Sequence, residues 1–359
     1  MTTTTTTTTT ATSPVRTFLA GRGRRGSAIE WLRRPRPPLA PPRWLAVLVA
    51  VASAAALVVV PLVNPSYVNL TVTLVMIWTI VGLGLNLLVG FGGQVSLGHS
   101  AFFAIGAYAV AVGGEAGMSH PATLLVAGIV PFVVGYLVGL PALRLHGLQL
   151  GLVTLGMAMA TPAAIRALEP LTHGSRGIAI DGDPPAWAPL DHDQWVYYLA
   201  LAAAALGYLV TRRLARGRLG RSFVAVRDAE LVAETLGVDV WQTKTRLFAA
   251  SAVYAGVAGG LYAMLLEFVG PENFNLTLSI SFVTLIVVGG LATVPGAVLG
   301  AIFVQVVPTL TSSISPAATG AAYGIVLIAF AFFLPYGLVG LARAALGGAV
   351  RRLPGGGAD

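Results

Sequence analysis

The chain has 359 residues, 56% of them apolar and only 10% charged, where a soluble globular protein carries roughly a quarter charged residues. Trp44 to Gly114 and Asn273 to Ala342 contain no Asp, Glu, Lys or Arg. As a single helix either run would be about 105 Å long against a hydrocarbon core of roughly 30 Å, which excludes a soluble enzyme, a single-span anchor and a disordered chain. The expected fold class is therefore an all-α polytopic membrane protein of about 8–10 transmembrane helices, with room for broken or half-spanning helices and a weak internal repeat.

Residues 1–43 combine nine threonines (Thr2 to Thr10) with arginines set among Gly and Pro. Such a segment cannot bury enough apolar surface to offset its ordering entropy, so a disordered basic arm on the cytoplasmic side, touching anionic lipid, is expected. Candidate spans follow at 44–64, 67–90, 98–114, 121–141, 148–165, 195–211, 247–268, 279–292, 295–310 and 319–340. They form a permease domain over 44–341, and 342–359 is read as a cytoplasmic tail.

The net charge of +8 reports orientation rather than nucleic-acid binding. Of the 22 cations, eight precede the first span, eight lie between Arg212 and Arg246, and three follow Leu341. Clusters beside apolar spans follow the positive-inside rule, which places both termini and the 212–246 loop in the cytoplasm. The 166–194 loop, with a net charge of −3, falls outside. Its Asp181, Asp183, Asp191, His192 and Asp193 lack a spacing that fixes metal ligands. They read as a solvated acidic surface able to meet basic patches of an external protein. Between 279 and 310, fourteen residues before Pro295-Gly296 make only about 21 Å of helix, so two half-spanning elements meeting inside the membrane are an alternative to two full spans.

Three segments carry functional signal. The densest is Gly82 to Tyr108, where Gly93, Gln94, Ser96, Gly98, His99 and Phe102 cluster. Glycine allows close helix approach or unwinding, and Gln, Ser and His can satisfy the carbonyls so freed. A tight packing face and a bent element lining a solute passage both fit that spacing. The second, Gly289 to Gly300, again pairs Gly-Gly with a helix breaker. The third is Arg221 to Gly237, where Val226, Ala229, Ala233 and Leu236 share one face of a helix, with Arg227, Asp228, Glu230 and Glu234 off it and Gly237 just past its end. Its mixed polar face and small apolar face favour a protein partner over the membrane surface.

On these motifs the chain resembles the branched-chain amino-acid permeases of bacterial ABC importers, the LivM-type subunit. The family segment GxxGQxSxGHxxFxxIGAY is matched by Gly90 to Tyr108. Its Thr-Gly-Gly-x-x-Gly-Ile/Leu loop is similar to Thr172 to Ile178 with His173 in place of the first glycine, and further segments are similar to Ala225–Gly237 with Lys244 and to Ala255–Ala263. The resemblance runs from about Leu70 to Leu341. It implies one of two unlike permease subunits (the other LivH-type) in a bacterial cytoplasmic membrane, working with two cytoplasmic ATPases and an extracytoplasmic solute-binding protein. Gly93, Gln94, Ser96, Gly98, His99 and Phe102 would belong to the pathway, and Arg227, Asp228, Glu230, Ala233 and Gly237 to the coupling segment that meets an ATPase. The spacing from Glu230 to Gly237 is one residue longer than in other importer families.

Leucine, isoleucine and valine are the expected solutes, with urea or short amides as the alternative on the same architecture. The only lysine, Lys244, sits in Gln-Thr-Lys-Thr-Arg, and no Gly-Lys-Ser/Thr exists. A Walker loop is therefore absent, and ATP with its Mg²⁺ is expected on partner chains, with no cofactor on this one. Two rival readings weigh less: an ion-coupled carrier would place charges within the apolar runs, and an intramembrane enzyme built on Ser96 and His99 would need an oxyanion site and a further partner.

Overall fold

The computed structural model describes residues 55–142, 148–180, 184–185, 189–314 and 337–341, together with 324 and 328. The expected arm at 1–43, most of the first and last candidate spans, and the tail at 342–359 lie outside the described residues. Nearly all regular structure is helical. After a helical stretch at 55–63 come α1 (Ser66–Leu85), which runs on into a π-helical turn (Asn86–Phe91), α2 (His99–Glu115), α3 (His120–Ala142) and α4 (Leu148–Ala167). The one-turn α5 (Glu169–Thr172) and strand β1 (Ile178–Ala179) lead to α6 (His192–Arg216), α7 (Arg218–Asp228), α8 (Glu230–Thr235) and α9 (Val240–Leu266). Strand β2 (Phe268–Val269), α10 (Leu276–Gly289) and α11 (Val294–Ile314) follow. Among the described residues six helices are long and apolar enough to cross a membrane: Ser66–Phe91, His120–Leu140, Gln149–Ala167, His192–Arg216, Val240–Leu266 and Pro271–Gly289.

Three helices, α6, α9 and α10, start where a side chain serves their first amides, which lack intrahelical partners. Asp239 accepts from the Gln242 N–H at 2.8 Å to open α9, and Asn275 accepts from the Leu278 N–H at 3.1 Å to open α10. Asp191 and Gln194 form a reciprocal capping box on α6. In the acidic 166–194 loop, Asp191 thus serves as a helix start. Among the described residues no three His, Asp or Glu side chains converge as a metal site.

Trp78 of α1, half-buried, packs against three other helices, its ring 6.0 Å from Phe103 (α2), 5.8 Å from Tyr262 (α9) and 5.7 Å from Phe282 (α10). Its indole N–H donates to Gln305 of α11 at 2.8 Å, so a polar handle fixes the aromatic core in register. Close approach of backbones holds α2 against α9. A Cβ on Gly106 would come within 2.0 Å of the Gly256 carbonyl oxygen, and one on Gly259 within 1.9 Å of the Phe103 carbonyl oxygen. This is the small-residue packing on which membrane helices rely in the absence of a hydrophobic driving force between them.

The 98–114 span corresponds to α2, a 17-residue helix of about 25 Å entered through non-helical chain. Two expectations need correction. The interruption after α10 falls at Gly290 to Thr293 rather than at Pro295-Gly296. Pro295 is the second residue of α11, where its missing N–H has no intrahelical partner to lose. Finally, the amphipathic helix read over Arg221 to Gly237 is two helices, broken at Ala229 (φ −157°, ψ 86°). The break turns Leu236 outward (76% exposed) while Val226 and Ala233 stay buried.

Candidate functional site

The break between α1 and α2 is built from its backbone upward. Leaving the π-helical turn, Gly92 donates to the Leu87 carbonyl at 3.1 Å and Gln94 to the Leu88 carbonyl at 3.2 Å, so the amide of Gln94 no longer reaches Gly90. Gly93 takes φ +67°, which only a residue without Cβ adopts freely. The chain then runs without regular structure to Gly98, held by the Leu97 N–H donating to the Thr154 hydroxyl at 3.0 Å. A Cβ on Gly98 would meet the Thr154 carbonyl oxygen at 2.8 Å. At the start of α2 the Ser100 N–H donates to the Ser279 hydroxyl at 3.1 Å, and the Ser279 hydroxyl donates to that of Ser100 at 2.7 Å.

Gln94, Ser96, His99 and Phe102 are all buried along this segment. Ser96 Oγ lies 3.0 Å from His99 Nδ1. The His99 ring meets Phe102 edge-on at 6.1 Å, and Phe102 in turn meets Phe248 of α9 at 5.6 Å. The Gln94 carboxamide and His99 Nε2 are buried with no hydrogen-bond partner among the described residues. Buried polar groups are otherwise almost always paired. With Nε2 unpaired, the Ser96–His99 contact lacks the third group that orients the base of a catalytic triad.

The Arg-rich loop meets the same break. Arg227, at the end of α7, turns back and donates from its guanidinium to the Gly90 carbonyl at 2.8 Å, and its Nε donates to Asp228 at 2.8 Å. A Cβ on Gly93 would lie 2.5 Å from Arg227 Cγ. Glu230 receives the Lys244 ammonium on both oxygens at 2.7 Å, tying α8 to α9. Gly237 (φ +82°) ends α8 in a Schellman turn: its N–H donates to the Glu234 carbonyl, and that of Val238 to Ala233. Of the five residues expected at the coupling segment, Ala233 packs inward, Gly237 makes the turn and Arg227 faces the break, while Asp228 is exposed. The outward apolar side chains are Leu231, Val232 and Leu236. A cavity of about 520 Å³ lined by Glu230, Glu234, Asp239, Trp241 and Lys244 opens beside them.

At the opposite end, Thr172 donates to the Ile165 carbonyl at 2.6 Å, and the next residues turn through positive φ at His173 (+56°), Gly174 (+59°) and Gly177 (+69°). His173 therefore adopts the left-handed conformation that a glycine would adopt without strain. The turn lays β1 against β2, pairing Ile178 with Val269 and Ala179 with Phe268, and Arg166 pairs with Glu272. Sequence reasoning missed Asn86, Thr154, Ser279 and Thr293, which fasten the break. The available signal was their isolation as polar residues in otherwise apolar spans.

A helical bundle whose central helix is broken by a glycine-rich stretch carrying buried polar side chains defines a polytopic membrane permease. Comparison with known proteins is specific: the chain belongs to the family described as branched-chain amino acid transport system / permease component, whose model matches residues 67–334. It is similar to the high-affinity branched-chain amino acid transport system permease protein LivM of Escherichia coli (strain K12), at 33% identity over 259 residues, covering 65% of this chain and 61% of that protein. The LivM of Salmonella typhimurium is 32% identical over the same shares. A probable branched-chain amino acid transport permease protein LivH of Methanocaldococcus jannaschii is 33% identical over 138 residues, 36% of this chain and 42% of that protein. The chain spans about three-fifths of the length of the LivM relatives it matches. No solved structure matches it.

Proposed function

We propose that this chain is one of two unlike permease subunits of an ABC importer that moves leucine, isoleucine and valine across a bacterial cytoplasmic membrane. Two cytoplasmic ATPases would supply ATP hydrolysis with Mg²⁺, an extracytoplasmic solute-binding protein would deliver the solute, and a LivH-type subunit would complete the pathway. The chain itself binds no cofactor and no nucleic acid in this reading, and both termini lie in the cytoplasm. The observation that carries it is the segment Gly92 to His99, which holds the Gln94 carboxamide and His99 Nε2, both without a partner among the described residues, inside an otherwise apolar bundle. Discontinuous helices with such groups are where transporters build solute pathways. Gly93, Gln94, Ser96, Gly98, His99 and Phe102 form the pathway region. The absence of charge from the two long apolar runs suits aliphatic solutes and leaves no carboxylate for ion coupling.

The 212–246 loop is the ATPase-facing surface. Leu231, Val232 and Leu236 are exposed there beside Asp228 and the start of α8, a mixed apolar and acidic face suited to a protein groove. The decisive measurement is energy-dependent uptake of labelled leucine and labelled urea by native cells with and without this chain. Loss of leucine uptake, with competition by isoleucine and valine, is expected. Loss of urea uptake alone would keep the architecture and change the solute, and loss of neither would overturn the reading.

A further inference from the structure

The π-helical turn leaves α1 with a free carbonyl end. In a continuous helix the Gly90 oxygen would accept the amide of Gln94, but that amide is spent on Leu88. An unpaired carbonyl at a helix C-terminus in a low-dielectric setting is costly, and a cation there is favoured both as a donor and by the helix dipole. Arg227 supplies both. Its guanidinium reaches Gly90, residue 137 positions away, at 2.8 Å. Its aliphatic stem lies against Gly93, where a Cβ would sit 3.3 Å from Arg227 Cβ and 2.5 Å from Cγ. Gly93 is thus required to be glycine twice over, by its φ of +67° and by the arginine stem it accommodates. Asp228 holds the guanidinium from the other side at 2.8 Å.

We infer that Arg227 is the positioning residue that transmits movement of the Arg-rich loop to the glycine-rich break, through its bond to the Gly90 carbonyl and its contact with Gly93. The inference rests on the permease reading above and deepens it. The Arg227 side chain is 32% exposed while its guanidinium reaches the Gly90 carbonyl, and the outward apolar side chains of the loop are those of Leu231, Val232 and Leu236, so removing the Arg227 side chain severs the link to the break and leaves those three in place.

The test uses the complete transporter with its own partner chains in proteoliposomes, measuring ATP hydrolysis and labelled leucine uptake in the same vesicles. Arg227→Ala is expected to lower uptake about tenfold, the scale of one charge-assisted hydrogen bond, with hydrolysis within about twofold of wild type. Arg227→Lys keeps an aliphatic stem and a charged donor for the Gly90 carbonyl, so it is expected to regain about half of wild-type uptake or more. That recovery in the same complex excludes a folding defect as the cause of the Arg227→Ala loss. Normal uptake by Arg227→Ala, or Arg227→Lys as impaired as Arg227→Ala, overturns the inference. Loss of the ATPases from purified Arg227→Ala complexes would overturn it too, by making Arg227 a docking residue. A wild-type complex without ATP-dependent uptake overturns the permease reading itself, and this inference with it.

Discussion

Asn86 and Ala292 are 206 positions apart, yet the Asn86 side-chain oxygen accepts the Ala292 N–H at 2.8 Å while its amide donates to the Thr293 carbonyl at 2.7 Å. One carboxamide therefore closes the tip of the α10–α11 hairpin, where Ala292 takes φ +57° and no helical partner serves these backbone groups. The two glycine-rich segments of the sequence meet here: a Cβ on Gly90 would lie 2.4 Å from the Ala292 nitrogen.

Asn86→Ala leaves both backbone groups of the tip unpaired and is expected to lower stability by about 2–4 kcal/mol. Asn86→Asp keeps an acceptor for Ala292 but loses the donor to Thr293 and buries a charge, so it should be no better. Thermal unfolding of the purified protein in detergent reads both. Midpoints equal to wild type would show that the carboxamide does not hold the tip.

Gly106→Ala drives a methyl into the Gly256 carbonyl and is expected to cost about 3 kcal/mol or more, since overpacking that backbone must yield to is harder to relieve than a side-chain clash. Gly156→Ala on α4 has nothing within 4 Å and should be neutral in the isolated chain. The contrast in accumulation and thermal midpoint between the two variants tests the close α2–α9 crossing.

Ser96→Ala removes the only hydrogen bond described for the His99 ring. Uptake is expected to fall about three- to tenfold with unchanged amounts in the membrane, on the scale of a lost buried hydrogen bond. His99→Gln, which retains a polar side chain, should likewise lose only part of the flux. Complete loss in both variants would point back to Ser96–His99 chemistry.

Lys244→Met removes the ammonium from the Glu230 carboxylate at the junction of α8 and α9, where the Lys244 side chain is 13% exposed. A double-mutant cycle with Glu230→Gln should return a coupling of about 1 kcal/mol, because Glu230 is more than a third exposed and solvent screens part of the attraction. Denaturant titration of the four proteins measures it, and zero coupling would make the contact incidental.

The spans were legible because apolar runs of membrane length admit few alternatives. α1, α3, α4 and α9 lie close to the ranges that hydropathy marks, and the C-terminal turn of α8 could be seen in Gly237. The break at Ala229 was not legible. Val226, Ala229, Ala233 and Leu236 keep helical spacing whether or not the helix is continuous, and the deciding contacts are distant ones, Arg227 to Gly90 and Lys244 to Glu230. At Gly82 to Tyr108 packing and pathway readings remained equal in the sequence. The tertiary facts of that segment, the Gln94 carboxamide without a described partner and Gly98 held under Thr154, have no counterpart in local pattern. The role of Asn86 depends on a chain segment 206 residues away, and local pattern carries no trace of such a meeting.

α9 runs unbroken for 27 residues, about 40 Å, from the Asp239 cap beside the Arg-rich loop to the two-residue ladder that Val269 makes with Ile178. The Arg-rich loop and the strand ladder are thus fastened to the two ends of one continuous helix. A tilt of about 5° around its midpoint would carry each tip roughly 1.7 Å in opposite directions. A stroke applied at Lys244 would arrive at the β1–β2 ladder as seesaw motion, with no chain of intermediate rearrangements between them.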